Sequence, residues 1–109
     1  MKDILWMGSS FRTLVAFPKA VKQVVGFQLH LIQQGIDADD WKPMSSIGAS
    51  VREIRIHVEG TYRIIYLAKF DEGIYVRHAF QKKTQKTAKK DIDIARTRLH
   101  EVIKNRTRS

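Results

Sequence analysis

Four cations carry the most pointed chemistry in this sequence: Arg55 and Arg63, on either side of the turn Glu59-Gly60-Thr61, and the consecutive Lys82 and Lys83. Arginine forks bind two phosphate oxygens at once, and clustered cations stabilise the negative charge that grows in a transition state. A lysine set among other cations also loses proton affinity, which lets it serve as a base. The set therefore suits phosphate binding and, with a proton acceptor, phosphodiester chemistry. Arg63 stands out because its neighbours in sequence, Tyr62 and Ile64 to Leu67, are apolar. A cation in such a strand needs a carboxylate partner or an anionic ligand. The histidines offer less: His30, His57, His78 and His100 fall in unrelated contexts, and no serine-nucleophile elbow, zinc-protease or phosphate-loop pattern occurs. His78 alone lies near the basic edge, and simple alternation places it on one strand face with Ile74, Val76 and Phe80. A core-facing, hydrogen-bonded histidine is the first reading there and a proton carrier the second. No metal or cofactor is expected. His30 has no second ligand at helical spacing, and Asp37, Asp39 and Asp40 lack the glycine and terminal glutamate of a calcium loop.

These residues must be positioned by a sheet. Val51 to Val58 alternates, with Ile54, Ile56 and Val58 on one face and Glu53, Arg55 and His57 on the other. Tyr62 to Phe70 is apolar on both faces and belongs in the centre of the sheet, with Arg63 sharing a face with Ile65, Leu67 and Lys69. Asp71-Glu72-Gly73 turns the chain into a third strand, Ile74 to Lys82, which completes an antiparallel meander. Upstream, Ile4 to Met7 reads as a short strand and Phe11 to Ala16 as a short helix stopped by Pro18. A second helix runs from Pro18 to Gly35 with Val21, Val25, Leu29 and Ile32 along one stripe. Ile36 to Ser50 reads as a connecting loop pinned by Trp41 and Met44. A last helix starts near Ala88 behind a Thr87 cap, carries Ile92, Ala95, Leu99, Val102 and Ile103 on its apolar stripe, and frays after Asn105. The expected fold is α+β, with N-terminal helices packed on one face of a small antiparallel sheet. The opposite face is expected to be free for ligand.

Length and charge narrow the partners. At 109 residues the chain makes one domain, 1–109, and its apolar content is high enough to bury a core rather than stay disordered. It has no cysteine, which excludes disulfides, thiolate metal sites and a cysteine nucleophile. From Arg77 onward eleven Lys and Arg face three acids, so this last third holds +8 of the formal +9. With a pI near 10.1, such a cationic edge favours a polyanion, above all a nucleic acid or a ribosome, over an acidic small molecule. No apolar run approaches the roughly 20 residues of a membrane span, and the opening residues are too soon broken by Gly8 for a signal peptide, so a cytoplasmic protein with no membrane partner is expected.

The run His78-Ala79-Phe80-Gln81-Lys82-Lys83-Thr84-Gln85-Lys86-Thr87, with Val51-Arg52-Glu53-Ile54-Arg55 and Tyr62-Arg63-Ile64-Ile65-Tyr66 before it, closely resembles the phage-derived HigB-like branch of the RelE/ParE toxin superfamily. The similarity covers nearly the whole chain, including Ser9-Ser10, Phe17-Pro18 and Trp41-Lys42-Pro43-Met44. What the resemblance implies is a compact RelE/ParE-like α+β fold and the toxin of a type II toxin-antitoxin system. The implied activity is a ribosome-dependent endoribonuclease (mRNA interferase) that inhibits translation. Its implied partners are the ribosome, mRNA and a cognate helix-turn-helix antitoxin. Aligned on the hairpin, Arg55, Arg63 and Lys82 or Lys83 match the family's catalytic basic positions, and Arg52, His78, Gln81, Gln85, Lys86 and Lys89 are the candidate RNA contacts. Glu53 stands where the family can carry another lysine, and the tyrosine RelE uses near its last helix has no counterpart, which leaves the acid and base assignments open. A ParE-like inhibitor of DNA gyrase acting through the terminal helix, or a non-catalytic RNA-binding module, are the alternatives.

Overall fold

The structure, a computed structural model, describes residues 2–68, 73–82 and 89–108, the last stretch with side chains from 90 to 104. In chain order it comprises β1 (Asp3–Trp6), α1 (Ser10–Val15), α2 (Lys19–Gln33), β2 (Trp41–Pro43), β3 (Val51–Ile56), β4 (Tyr62–Leu67), β5 (Gly73–Gln81) and α3 (Lys89–Arg108). One five-stranded sheet runs β1-β5-β4-β3-β2. The meander β3-β4-β5 is antiparallel as expected, and β1 adds to its outer edge in parallel with β5. β4 is central and every one of its six residues is buried. The turn at Asp71-Glu72, the cap at Thr87-Ala88, and Lys69, Lys83, Gln85 and Lys86 lie outside the described residues, as does the side chain of Lys89.

The helices follow their punctuation. Pro18 stands at the N-cap of α2, where its missing N–H costs nothing. Val21, Val25, Leu29 and Ile32 are buried against Ile54, Ile64, Tyr66, Ile74 and Val76. Each such aliphatic side chain contributes about 1.5–3 kcal/mol when fully buried. The helix ends with Gly35 N–H donating to Ile32 and Ile36 N–H to Leu31, closed by Gly35 at φ +82°.

Four expectations need correction. The sheet face opposite α1 and α2 is not free: α3 covers it, packing Ala95, Leu99 and Val102 on Val51, Ile65, Leu67 and Phe80, together with Met44 and Ile47. The reason was present in β4, since a strand apolar on both faces needs a cover on both. The segment between Ile36 and Ser50 is not all loop, because Trp41–Pro43 pairs with Ile54–Arg52 as an edge strand. Three residues are too few for alternation to show. The register of β5 slips between Ile65 and Tyr66 of β4, which pair with His78 and Val76, so Arg77 is an extra residue. This bulge reverses the alternation. His78 therefore shares its face with Phe80 and the α3 side, not with Ile74 and Val76, which pack with Ala79 toward α1 and α2. Finally, the α3 backbone stays helical past Asn105 to Arg108. No helix among the described residues is long and apolar enough to cross a membrane.

Candidate functional site

Glu59 and Gly60, both at positive φ, make the turn between β3 and β4, and the register that follows sets Arg55 directly opposite Arg63. Opposed residues of an antiparallel pair stand on one face with Cβ atoms about 5 Å apart, and like charges in that place repel. Each guanidinium is met by an acid. Asp40 Oδ1 accepts from Arg55 Nε at 2.9 Å and lies 2.8 Å from its Nη2. Glu53 Oε1, from the same face of β3, lies 3.2 Å from Arg63 Nε. Glu53 is fully buried and Arg63 is 5% exposed, so this second pair is sealed under the surface. Arg55 stays partly open, and because Asp40 uses only one edge of its fork, N–H donors remain for a ligand. Arg63 thus has the carboxylate partner that the sequence demanded, and it has little access to a ligand of its own.

The same face continues into β5. Phe80 stands opposite Arg63, and Lys82 follows two residues later, its backbone N–H donating to Thr61 at 2.8 Å. Burial and then the charges of Arg63, Lys42 and Arg55 hold the Lys82 ammonium below the ordinary lysine range, against the pull of Glu53. Lys42, opposite Glu53 on β2, lies 3.8 Å from its carboxylate. Sequence reasoning missed Lys42 as a member of the site because β2 was read as loop.

One row further along β5, His78 stands opposite Ile65. Its Nε2 lies 2.6 Å from Asp91 Oδ1 in the first turn of α3, and its ring stacks on Phe80 at 5.1 Å between centroids. Burial depresses the imidazole's pKa, outweighing Asp91, with Arg98 and Lys90 adding to the depression. The neutral ring therefore donates from Nε2 to Asp91 and leaves Nδ1 as its lone-pair nitrogen. Nothing in the sequence spacing paired Asp91 with His78.

The other candidates separate. Arg52 is on the α2 face, its guanidinium 4.0 Å from the Trp41 ring centre and 2.9 Å from Asp37 Oδ1. Gln81 is exposed in the row of Tyr62, on that same face. The three aspartates are engaged within the fold: Asp37 by Arg52, Asp39 by Gln28 Nε2 at 2.8 Å, and Asp40 by Arg55 and by His57 Nε2 at 3.1 Å. Burial works against ionisation of Asp40, but the hydrogen bonds and charges of Arg55 and His57 outweigh it and hold its carboxyl below the usual range. Among the described residues no group of three metal-type ligands is placed to hold an ion.

The structure thus gathers Arg55, Arg63, Lys82 and His78, with Lys42, on successive rows of one face at the point where the basic connection leaves the sheet. The model of the phage-derived Gp49-like protein family (DUF891) matches residues 12–100. The chain belongs to that family. No curated protein matches it. The matched span of this Gp49-like protein runs from α1 into α3 and includes every residue of the cluster. Membership in this phage-derived, toxin-like family agrees with the α+β fold.

Proposed function

We propose that this Gp49-like protein is the HigB-like toxin of a toxin-antitoxin system and cleaves mRNA on the ribosome. The observation that carries the reading is the register that sets Arg55 opposite Arg63 and brings Lys82, two residues beyond Phe80, to the end of the same face. Cleavage of RNA by its own 2′-hydroxyl needs a base for that proton, charge to stabilise the phosphorane and a proton for the 5′-leaving oxygen. In this proposal Lys82 takes the 2′ proton. Arg55 offers its free donors to the non-bridging phosphate oxygens, and Arg63 adds positive charge from below without leaving Glu53. The leaving oxygen takes its proton from the same cation cluster, which includes Lys42. His78 and Asp91 tie α3 to β5, with the His78 ring stacked on Phe80. A cognate helix-turn-helix antitoxin would neutralise the cationic face.

The test is induction in a growing bacterium, with transcript 5′ ends mapped within minutes. Fragmentation of translated messages, absent when translation is blocked beforehand, is the expected result. A DNA-damage response without fragmentation would replace this reading by gyrase inhibition, and growth arrest with neither would leave binding without catalysis.

A further inference from the structure

The bulge at Arg77 puts a second group of cations on the α3 side of β5, apart from the cluster just described. Arg77 is 0% exposed, and its guanidinium meets only a carbonyl, that of Ala95 in α3, through Nη2; Nε and Nη1 are buried with no hydrogen-bond partner among the described residues. Above it lies Arg98 of α3. Its Nη1 donates to the Arg77 carbonyl at 2.6 Å and its Nη2 to Ser9 Oγ, in the turn between β1 and α1, at 3.2 Å. Gly8 is shaped to this guanidinium: at φ +53° its position is one that a side chain resists, and a Cβ there would fall 2.6 Å from Arg98 Nε.

No carboxylate among the described residues closes the pair. Among the described residues no acid lies within 4.0 Å of a nitrogen of Arg77 or Arg98; Glu101 acts on Arg98 from the next turn of the helix, and Asp91 is taken by His78. A buried cation without an acid is costly, and elsewhere in this fold the buried arginine, Arg63, has one. Burial, and then the charge of Arg98, bring the pKa of Arg77 down to about 10, so it remains a cation at neutral pH.

We infer that Arg77, Arg98 and Ser9 form an anion site for a phosphate group, with the Arg98 guanidinium and the Ser9 hydroxyl as its donors and the buried Arg77 charge beneath. A tetrahedral phosphate oxyanion suits it, because it can accept from Arg98 and Ser9 at the half-exposed mouth while offsetting the charge of Arg77 beneath. The site is distinct from the Arg55–Lys82 cluster: Arg77 precedes Lys82, the residue just past β5, by five positions, at most about 16 Å at the strand rise of roughly 3.3 Å per residue. It does not require the chain to be a nuclease. The phosphate is either that of an RNA backbone or a free ion.

Thermal unfolding in low-millimolar inorganic phosphate, at ionic strength held constant with potassium chloride, tests the inference. Low concentration keeps the general stabilising effect of phosphate salts small. At phosphate tenfold above its Kd, Tm should rise by roughly 5 °C. The rise should persist in Arg55→Ala/Lys82→Ala, which lacks the other cluster, and vanish in Arg77→Met. Without phosphate, Arg77→Met should melt above the parent, since it removes a desolvated charge. Arg98→Gln, at a half-exposed position, should also lose the rise and serves if Arg77→Met does not fold. No rise in the parent, or a rise kept in Arg98→Gln and lost in Arg55→Ala/Lys82→Ala, overturns the site. A short single-stranded oligoribonucleotide separates the two sources. Stabilisation by RNA that depends on Arg98 assigns the phosphate to the backbone, and stabilisation by inorganic phosphate alone assigns it to a free ion.

Discussion

Arg63 is buried 3.2 Å from the carboxylate of the fully buried Glu53, and this decides what its substitution does. Removing one member of a buried ion pair leaves the other charge uncompensated, at a cost of about 3–5 kcal/mol. Both Arg63→Ala and Glu53→Gln should therefore lower the urea midpoint strongly, and a midpoint unchanged in either would show that the pair is solvated. Arg63→Lys keeps the charge beside Lys82 but loses the planar fork, so its stability should fall less than that of Arg63→Ala. Its cleavage pH profile should stay close to the parent's, because the cation that lowers the Lys82 pKa is still present. His78 sets a second expectation. Its pKa is depressed in the folded protein, so the unfolded chain binds a proton first as the pH falls. Stability is complete above the unfolded histidine value of about 6.5 and declines below it until the folded value is passed. Unfolding midpoints measured from pH 7 to 5 should decline in the parent, and the decline should be shallower in His78→Gln.

Among the elements, α3 is the cover that seals the second face of the sheet. Leu99 is 7% exposed among Met44, Ile47 and Val51, and Leu99→Ala should destabilise by about 2–5 kcal/mol. If the variant is as stable as the parent, α3 is not docked as described. Much of this level could be read from the residues themselves. Pro18 and Gly35 bounded α2, the alternation from Val51 to Val58 marked β3, and the doubly apolar run from Tyr62 to Phe70 marked the centre of the sheet, though the strands end at Ile56 and Leu67. What could not be read came from pairing between segments distant in sequence. A three-residue strand such as β2 has no periodicity, and a bulge is a property of two strands that neither reveals alone. That bulge moved His78 from one face to the other and buried Arg77. The site was legible to the same extent: the turn at Glu59-Gly60 sufficed to bring Arg55 and Arg63 together, and Arg63's need for an acid was plain in its apolar strand. The identities of the acids, Glu53 for Arg63 and Asp40 for Arg55, needed the register and the path of the chain before β2.

For the whole molecule, +8 of the +9 charge lies beyond residue 76, and the cluster formed by Arg55, Lys42 and Lys82 opens onto that same region. If about four cations meet phosphates, log affinity for RNA or ribosomes should fall with log salt at a slope of roughly −3 to −4. A flat response in a filter-binding or fluorescence titration would separate function from charge. The central claim is narrower: one lysine of lowered proton affinity beside two acid-held arginines cleaves mRNA on the ribosome. Its most direct test is the rate at which a defined message is cut on translating ribosomes by the parent and by Lys82→Met, with unchanged folding checked by thermal unfolding. Loss of a general base predicts a fall of about 10²–10⁴-fold; cleavage by Lys82→Met at the parent rate would contradict the account.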